Sequence, residues 1–233
     1  MALLIFDCDG VLVDSEYLFA RVAATCLNEI GIKIDTAEAT RRFAGISIKD
    51  MLASLACERG APFPDTFEDL VIRREDEAYA QMLEPIRGVR QAILSIPLAR
   101  CVASSSLPER ITASLLVTKL DDLFAETARF STARVSKGKP APDIFLHAAC
   151  QMGVSPKDCI VIEDSVPGIQ GAIAAGMGVV GFTGGRHCAA GHGERLAASG
   201  ADRVIAEMAE LREAVQALTS PTARRRERSP PRS

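Results

Sequence analysis

Residues 1–16 read MALLIFDCDGVLVDSE, and this stretch decides the fold class. The run ALLIF at 2–6 is wholly apolar and stops abruptly at charged residues, which is typical of a strand buried on both faces of a parallel sheet. Asp7, Cys8, Asp9 and Gly10 follow at once. Residues two apart on an extended chain project to the same side, so we expect Asp7 and Asp9 to face one site while Cys8 points into the core.

The pattern of the first strand recurs along the chain. Similar apolar runs lie at 101–105 (CVASS), 159–164 (CIVIED) and 179–182 (VVGF), with a weaker one at 203–206 (RVIA). Amphipathic segments follow these runs or lie between them, at 108–120, 142–152, 167–175 and 207–218. Strands that alternate with helices predict an α/β fold with a doubly wound parallel sheet.

The alternation is interrupted once, after the first strand. Residues 15–85 show only helical periodicity, with helices expected at 15–30, 36–43, 47–58 and 65–82. In open α/β sheets ligands bind beyond the carboxyl ends of the strands, and an insertion at this point lies over those ends. We therefore expect an α/β core of residues 1–14 and 86–218 and a helical cap of residues 15–85.

The last fifteen residues, TSPTARRRERSPPRS, differ from the rest in composition. Five Arg stand against Glu227, although the whole chain has a net charge of −3. Such a segment, with almost no apolar residue, predicts a disordered basic tail at 219–233. A charge run of this kind is usually solvated, so we expect no nucleic-acid partner from it.

Composition excludes several function classes. The chain has no Trp and only 5% aromatic residues, which argues against a stacking platform for single-stranded nucleic acid. No apolar run approaches the roughly 20 residues of a membrane span, and the N-terminus lacks the basic region of a secretory signal. We expect a cytoplasmic protein with no membrane partner, and a monomer is favoured.

Seven cysteines are scattered without a CxxC pair, which favours reduced thiols over a disulfide framework. His187, Cys188 and His192 lie close together in the sequence. Because no second group of ligands accompanies them, their spacing alone does not predict a zinc site.

Chemically useful side chains follow the other predicted strands. Ser104 and Ser105 end the second strand, and Glu163 and Asp164 end a later one, while Lys139 is followed by Pro140 and Pro142 in Lys-Pro-Ala-Pro. Carboxylates that converge with Asp7 and Asp9 would form an oxygen-only site of the kind Mg²⁺ prefers, beside an anion site.

Four segments resemble, in order, the motifs of the haloacid dehalogenase-like superfamily, in its branch with a helical cap inserted after the first strand. They are DCDGVLVDSE (7–16), CVASSS (101–106), KGKPAPDIF (137–145) and VIEDSVPGIQGAIAAGM (161–177). The resemblance covers nearly the whole chain except the tail. It implies that Asp7 is the nucleophile that forms an aspartyl-phosphate. Asp9 would be the general acid and then the base.

The same resemblance implies a set of ligands. Mg²⁺ would be held by Asp7, the backbone carbonyl of Asp9 and Asp164, with Glu163 as a ligand or just outside. The transferring phosphoryl group would be bound by Ser104, Ser105 and Lys139. Lys137 lacks a following proline and is expected to be a surface residue.

Several reactions occur on this scaffold, and Asp9 discriminates among them. Dehalogenases lack an acid at this position, and phosphonate hydrolases replace it with a small residue and use a cap lysine, for which Lys33 and Lys49 are the candidates. Mutases of the β-phosphoglucomutase type share the motifs but carry a cap histidine and basic loop residues. Those positions fall at Phe19, Ala44 and Ile48, and 15–85 contains no His.

We therefore expect a phosphatase acting on a small phosphorylated sugar, sugar acid or polyol, similar to bacterial phosphatases of the 6-phosphogluconate or 2-deoxyglucose-6-phosphate type. The mutase remains the alternative, and a non-catalytic binding protein is disfavoured because Asp7 and Asp164 are both present. The cap residues expected to read the substrate are Arg41, Arg42, Gly45 and Lys49. The charged run 75–77 is expected to be a solvated helix face.

Overall fold

Six parallel strands form one sheet in the computed structural model, which describes residues 2–220 apart from the side chain of Asp65. The strands are β1 (Leu3–Phe6), β2 (Ala99–Ser104), β3 (Arg129–Ser131), β4 (Cys159–Glu163), β5 (Gly178–Phe182) and β6 (Arg203–Ile205). Their order is β3-β2-β1-β4-β5-β6, so the chain leaves β1 toward one edge and later returns to build the other. The predicted doubly wound parallel sheet is confirmed.

Helices cover both faces of the sheet and form the cap. They are α1 (Ser15–Glu29), α2 (Thr36–Phe43), α3 (Ile48–Arg59), α4 (Asp65–Met82), α5 (Val89–Ser95), α6 (Pro108–Val117), α7 (Asp143–Gln151), α8 (Val166–Ala174), α9 (His192–Ala198) and α10 (Leu211–Thr219). Helix α10 includes Thr219, the first residue of the expected tail. The predicted basic tail from 221 to 233 lies outside the described residues.

Strand β1 is buried on both faces, as its apolar sequence predicts. Leu4 and Phe6 belong to one hydrophobic core, with apolar side chains of α5, α6 and α10. Leu3 and Ile5 belong to a second core with α7, α8 and α9. The central strand is thus fixed from both sides, and the residues that follow it start from a rigid position.

The cap helices α1 to α4 enclose an apolar core of their own, in which Leu27, Phe43 and Met51 are fully buried or nearly so. Polar side chains set two helix starts: Asp35 accepts a hydrogen bond from the Glu38 amide, and Ser47 accepts one from the Asp50 amide. Each satisfies a backbone donor that the first helical turn leaves free.

Two connections join the cap to the core, and they run side by side. The Asp14 amide donates to the Glu84 carbonyl at 3.0 Å, and the Ile86 amide donates to the Leu12 carbonyl at 2.9 Å. Arg186, from the core, contacts the carboxylates of both Asp14 and Glu84. The cap therefore enters and leaves at one point beside the end of β1. Among the described residues, no helix has the length and apolar character needed to cross a membrane.

Candidate active site

Asp7, Lys139 and Glu163 form the buried centre of the site. The Lys139 ammonium donates to Oδ1 of Asp7 at 2.5 Å, to Oε1 of Glu163 at 2.6 Å and to the carbonyl of Ala103 at 3.1 Å. These contacts use all three of its N–H donors. Lys139 therefore sits between the ends of β1, β2 and β4, and the two prolines that follow it in the sequence restrict its backbone.

The electrostatics of this centre follow from burial. Burial raises the pKa of Asp7 well above its usual range, the Lys139 charge opposes the rise, and Glu163, Asp164 and Asp9 add to it. For Lys139, burial acts to lower the pKa, but the attraction of Asp7 and Glu163 prevails and raises it. The lysine stays charged, and the carboxylates around it outnumber it.

Asp9 is held by hydroxyl groups from both the cap and the core. Ser15 donates to its Oδ1 at 2.7 Å, and Ser106 donates to its Oδ2 at 2.7 Å, with Ser104 further away at 3.3 Å. The Tyr79 hydroxyl lies 3.4 Å from Oδ1. Because donors contact both oxygens, the orientation of this carboxylate is fixed.

Glu163 ends β4 and Asp164 follows it, and both side chains are placed by close backbone approaches. A Cβ at Gly10, whose φ is +81°, would lie 1.9 Å from Oδ2 of Asp164. A Cβ at Gly168 would lie equally close to the Glu163 carboxylate. Glu163 also accepts hydrogen bonds from the amide and hydroxyl of Ser165. Glycine at both positions is therefore required for these carboxylates to occupy their places.

The three serines at the end of β2, 104–106, lie partly in the core and partly in the cleft. Ser104 is fully buried, and its hydroxyl contacts Asp9, whereas Ser105 and Ser106 line the cleft. Ser131 donates to the Ser106 carbonyl at 2.6 Å and Thr132 to the Ser105 carbonyl at 3.2 Å, which anchors the loop. Of the predicted phosphate ligands, Ser105 and Lys139 reach the cleft, and Ser104 lies beneath it.

A cleft of about 940 Å³ separates the cap from the carboxyl edge of the sheet. Its core side carries Asp7, Asp9, Ser105, Ser106, Lys139, Glu163, Asp164 and His187. Its cap side carries Ser15, Glu16, Phe19, Thr40, Arg41, Glu75 and residues 44–48, from the loop after α2 to the start of α3. These polar side chains thus face a cleft that lies between the sheet edge and the cap.

The four cap residues expected to read the substrate divide in the structure. Arg41 lines the cleft, and so does Gly45, whose amide donates to Glu16 at 2.7 Å. Arg42 makes a two-point contact with Glu58, at 2.5 and 2.7 Å, and is not among the lining residues. Lys49 does not line the cleft either.

Glu16 is a site residue that sequence reasoning does not identify. It lines the cleft, and burial raises the pKa of its carboxyl to about 7 against the opposing hydrogen bond from Gly45. The sequence does contain one indication of this role, because Glu16 lies at the start of α1 and at the end of the first motif.

The expectation that 75–77 is a solvated face is wrong for Glu75. Its side chain is only 16% exposed and pairs with Arg110 of α6, while burial raises the pKa of its carboxyl. The Arg110 guanidinium also lies 3.8 Å from the ring centroid of Tyr79. These contacts join cap helix α4 to the core at the edge of the cleft, and helical periodicity could not reveal a partner so distant in sequence.

A second polar cluster adjoins Asp164. Nε2 of His187 lies 2.8 Å from Oδ2 of Asp164, and Nε2 of His192 donates to the Asp164 carbonyl at 2.6 Å. Burial acts to lower the pKa of His187, but hydrogen bonds to Asp164 and Cys188 raise it to about 11. For Cys188, burial acts to raise the pKa, and hydrogen bonds from both histidines lower it.

The donor set suits a hard divalent cation. Asp7, Glu163 and Asp164 are buried carboxylates with Asp9 beside them, and oxygen ligands of this kind are those that Mg²⁺ prefers. The carboxyl groups of Asp7, Glu163 and Asp164 surround a single ammonium, that of Lys139, so the carboxyl groups outnumber it. A cation held by Asp7, the Asp9 carbonyl and Asp164 would correct that imbalance.

Comparison with known proteins relates this chain to one family of hydrolases. A family profile described as "Haloacid dehalogenase-like hydrolase" matches residues 4–182. A 6-phosphogluconate phosphatase from Escherichia coli (strain K12) is 33% identical over 183 residues, which cover 78% of this chain and 82% of that protein. A beta-phosphoglucomutase from Bacillus subtilis (strain 168) is 27% identical over 224 residues, covering 91% and 92%.

A solved structure is also similar over almost the whole chain. A conserved haloacid dehalogenase-like protein of unknown function from Agrobacterium tumefaciens (strain C58) superposes with a TM-score of 0.86 at 39% sequence identity. The match covers 94% of this chain and 100% of that one. Both the sheet and the cap are therefore shared with that structure.

Proposed function

The chain belongs to the haloacid dehalogenase-like hydrolase family, and from that premise we propose that it is a Mg²⁺-dependent phosphatase acting on a small phosphorylated sugar, sugar acid or polyol. The observation that carries the proposal is the pairing of Asp7 with Lys139 at 2.5 Å, with Asp9 close by on the same cleft. A nucleophile, a fixed cation and an acid are the parts that phosphoryl transfer through an enzyme carboxylate requires.

In the first half-reaction, an oxygen of Asp7 forms a bond to phosphorus as the bond from phosphorus to the sugar oxygen breaks. Asp9 gives its proton to the departing alkoxide. Lys139, with Ser105 and the neighbouring backbone amides, binds the phosphoryl oxygens and stabilises the charge that spreads over them. Ser104 supports Asp9 from below.

In the second half-reaction, water attacks the same phosphorus atom. Asp9 takes a proton from the water, the bond between phosphorus and Asp7 breaks, and inorganic phosphate leaves. Ser15 and Ser106 hold the two oxygens of Asp9 in one orientation, so the same carboxyl group serves as acid and then as base.

Asp7, the backbone carbonyl of Asp9 and Asp164 would hold Mg²⁺, with Glu163 as a further ligand or as an outer support. When bound, the ion supplies positive charge between the Asp7 carboxylate and the phosphate dianion, which otherwise repel each other. Lys139 contributes a second positive charge from the chain itself.

The cap side of the cleft favours hydrolysis over a mutase reaction. The positions at which the mutases of this family carry their cap histidine and basic loop residues are Phe19, Ala44 and Ile48, and all three line the cleft. A bisphosphate turning over in this chamber would meet uncharged side chains there. The similarity to a beta-phosphoglucomutase keeps the mutase as the second candidate.

Arg41 is a cap cation on the cleft, and it suits a substrate with a carboxylate or several hydroxyls opposite its phosphate. The E. coli relative is a 6-phosphogluconate phosphatase, which supports a sugar acid as the first substrate to try. A guanidinium offers paired donors that match a carboxylate.

The test is phosphate release with Mg²⁺ across phosphorylated sugars, sugar acids and polyols. Beta-glucose 1-phosphate with its bisphosphate activator is included and followed for glucose 6-phosphate. Phosphate release from one narrow group is expected. Glucose 6-phosphate without free phosphate would establish the mutase instead.

Two controls connect the activity to the site. Asp7→Asn should lower kcat by at least about 1,000-fold because it removes the nucleophile while keeping the shape of the side chain. Its melting temperature should stay close to that of the parent. EDTA should stop the reaction and added Mg²⁺ should restore it, so activity that persists in EDTA would contradict the metal assignment.

A further inference from the structure

His187, Cys188 and His192 form a compact cluster at the rim of the cleft, beyond the oxygen ligands of the proposed phosphatase site. One donor atom from each of the three side chains lies within 4.8 Å of the others. His187 and Cys188 belong to the loop after β5, and His192 is the first residue of α9. The fold therefore brings together two nitrogen donors and one sulfur donor.

The distance between Cys188 and His187 matches that between two ligands of one small cation. Sγ of Cys188 lies 3.4 Å from Nε2 of His187. With metal–sulfur and metal–nitrogen bonds of about 2.3 and 2.0 Å, two tetrahedral ligands of one zinc ion lie roughly 3.5 Å apart. The ring nitrogens of His192 contact the Asp164 carbonyl and Arg195. One of these contacts would give way to the ion, and His192 would then complete a set of three ligands and leave a fourth position for solvent.

The hydrogen bonds among these side chains do not use all of their donors and acceptors. Nδ1 of His187 is buried and has no hydrogen-bond partner within residues 2–220, although the side chain is only 7% exposed. Buried polar atoms are nearly always paired. Nε2 of the same ring contacts Asp164 and Cys188, so a cation held through Nε2 would replace the contact with Asp164.

We propose that His187, Cys188 and His192 form a binding site for a borderline transition-metal ion of the Zn²⁺ class, separate from the oxygen-only Mg²⁺ site. Imidazole and thiolate ligands select such ions, whereas carboxylates select Mg²⁺. The sequence spacing does not predict this site, because the three side chains meet through the packing of the loop after β5 against the start of α9. The proposal stands whether or not the chain is a phosphatase.

Co²⁺ is the probe, because a thiolate ligand gives it a near-ultraviolet charge-transfer band that oxygen ligands do not. Fully reduced protein is titrated with Co²⁺ in excess Mg²⁺, which occupies the carboxylate site without forming such a band. The expected result is a band that saturates at about one equivalent and disappears when Zn²⁺ is added.

Variants assign the band to residues. Cys188→Ser should lose it, whereas Cys150→Ser, which alters an exposed cysteine elsewhere, should keep it. His192→Gln should weaken Zn²⁺ binding by at least about 100-fold, since losing even an outer partner of a metal ligand costs up to that much. Far-ultraviolet circular dichroism checks that each variant is folded.

A measurement on the unaltered chain removes any dependence on folding of the variants. Zn²⁺ should slow the alkylation of Cys188 by iodoacetamide, followed by peptide mass, and leave that of Cys57 and Cys150 unchanged. An absent band, a band that survives Cys188→Ser, or alkylation that Zn²⁺ does not slow would each overturn the proposal. The three side chains would then be a hydrogen-bonded support for Asp164.

Discussion

At the scale of single residues, Lys139 is the side chain on which the charge balance of the site depends. It is 6% exposed and is the ammonium that contacts both Asp7 and Glu163. Removing one partner of a buried ion pair leaves the others without compensation. The same reasoning does not apply to the exposed Lys137, which is therefore the natural control.

We predict that Lys139→Gln lowers stability by about 3 kcal/mol in EDTA and reduces kcat by at least about 1,000-fold. Lys137→Gln should change neither quantity noticeably. Urea unfolding and phosphate release measure the two effects. Equal losses in the two variants would show that the contacts of Lys139 do not matter.

Glu16 makes stability depend on pH in a defined direction. Its carboxyl has a pKa of about 7 in the folded protein, compared with an ordinary value of 4.5. A carboxyl whose pKa is raised by folding favours the folded state while it is protonated. That contribution is complete below pH 4.5 and is lost as the pH rises through 7.

We predict that Glu16→Gln becomes more stable than the parent as pH rises, by about 1–2 kcal/mol between pH 4.5 and 8 after allowance for partial solvent exposure. The amide oxygen of Gln can still accept the hydrogen bond from Gly45. Urea unfolding across this range measures the difference, with the exposed Glu77→Gln as control. A difference that does not change with pH would contradict the prediction.

The sequence predicts the residues that carry the chemistry of the site better than it predicts the residues that hold them in place. The structure brings together Asp7, Asp9, Glu163 and Asp164, because carboxylates at strand ends meet at one edge of a parallel sheet. Lys139 joins them from the loop before α7. The supporting contacts are not predicted, and they involve Ser15, Tyr79 and Arg110. Each of these residues contacts a partner far away in the sequence, which neither helical nor strand periodicity can identify. Arg42 is expected from the sequence to read the substrate, yet it pairs with Glu58 of the cap.

At the scale of elements, the turn after β1 packs closely against the residue that follows β4. Gly10 adopts φ +81°, and its backbone lies against the Asp164 carboxylate. Gly176 adopts a similar φ of +72°, and a Cβ added there would meet open space within 4 Å. An added methyl group at Gly176 would therefore cause backbone strain alone, whereas one at Gly10 would cause both backbone strain and a steric clash with Asp164.

We predict that Gly176→Ala costs about 1 kcal/mol and leaves activity intact, because only the left-handed backbone conformation is penalised. Gly10→Ala should cost more and should also weaken the activation by Mg²⁺, since a methyl group displaces Asp164. Unfolding and Mg²⁺ titration of the activity measure both. If the two variants behave alike, the close approach at Gly10 has no role.

Short elements escape prediction from the sequence for a physical reason. Strand β3 has three residues, and helices α5 and α9 have seven each, which is too short for a period to repeat convincingly. The longer cap helices begin and end within a residue or two of their expected bounds. Helix α6 ends at Val117, earlier than expected, and Lys119 then adopts φ +57°.

At the scale of the whole molecule, the side chains within residues 2–220 that line the cleft all come from residues 7–195. The sheet is complete by Ile205, and α10 closes one face by Thr219. We predict that a chain ending at Ser220 keeps the kcat, KM and melting temperature of the full chain. Parallel assays and thermal melts compare the two, and a loss of more than a few degrees in Tm would give the last thirteen residues a structural role.

The paired connections at 12–14 and 84–86 have a consequence for how such an enzyme diversifies. The two ends of the cap are joined by backbone hydrogen bonds. With respect to the core, the cap is therefore equivalent to one closed loop. The entropic cost of a loop rises only about 0.6 kcal/mol for each doubling of its length. Caps of different size and sequence can therefore be exchanged at this junction at little cost to the core, so selectivity can evolve while the reacting groups stay where they are.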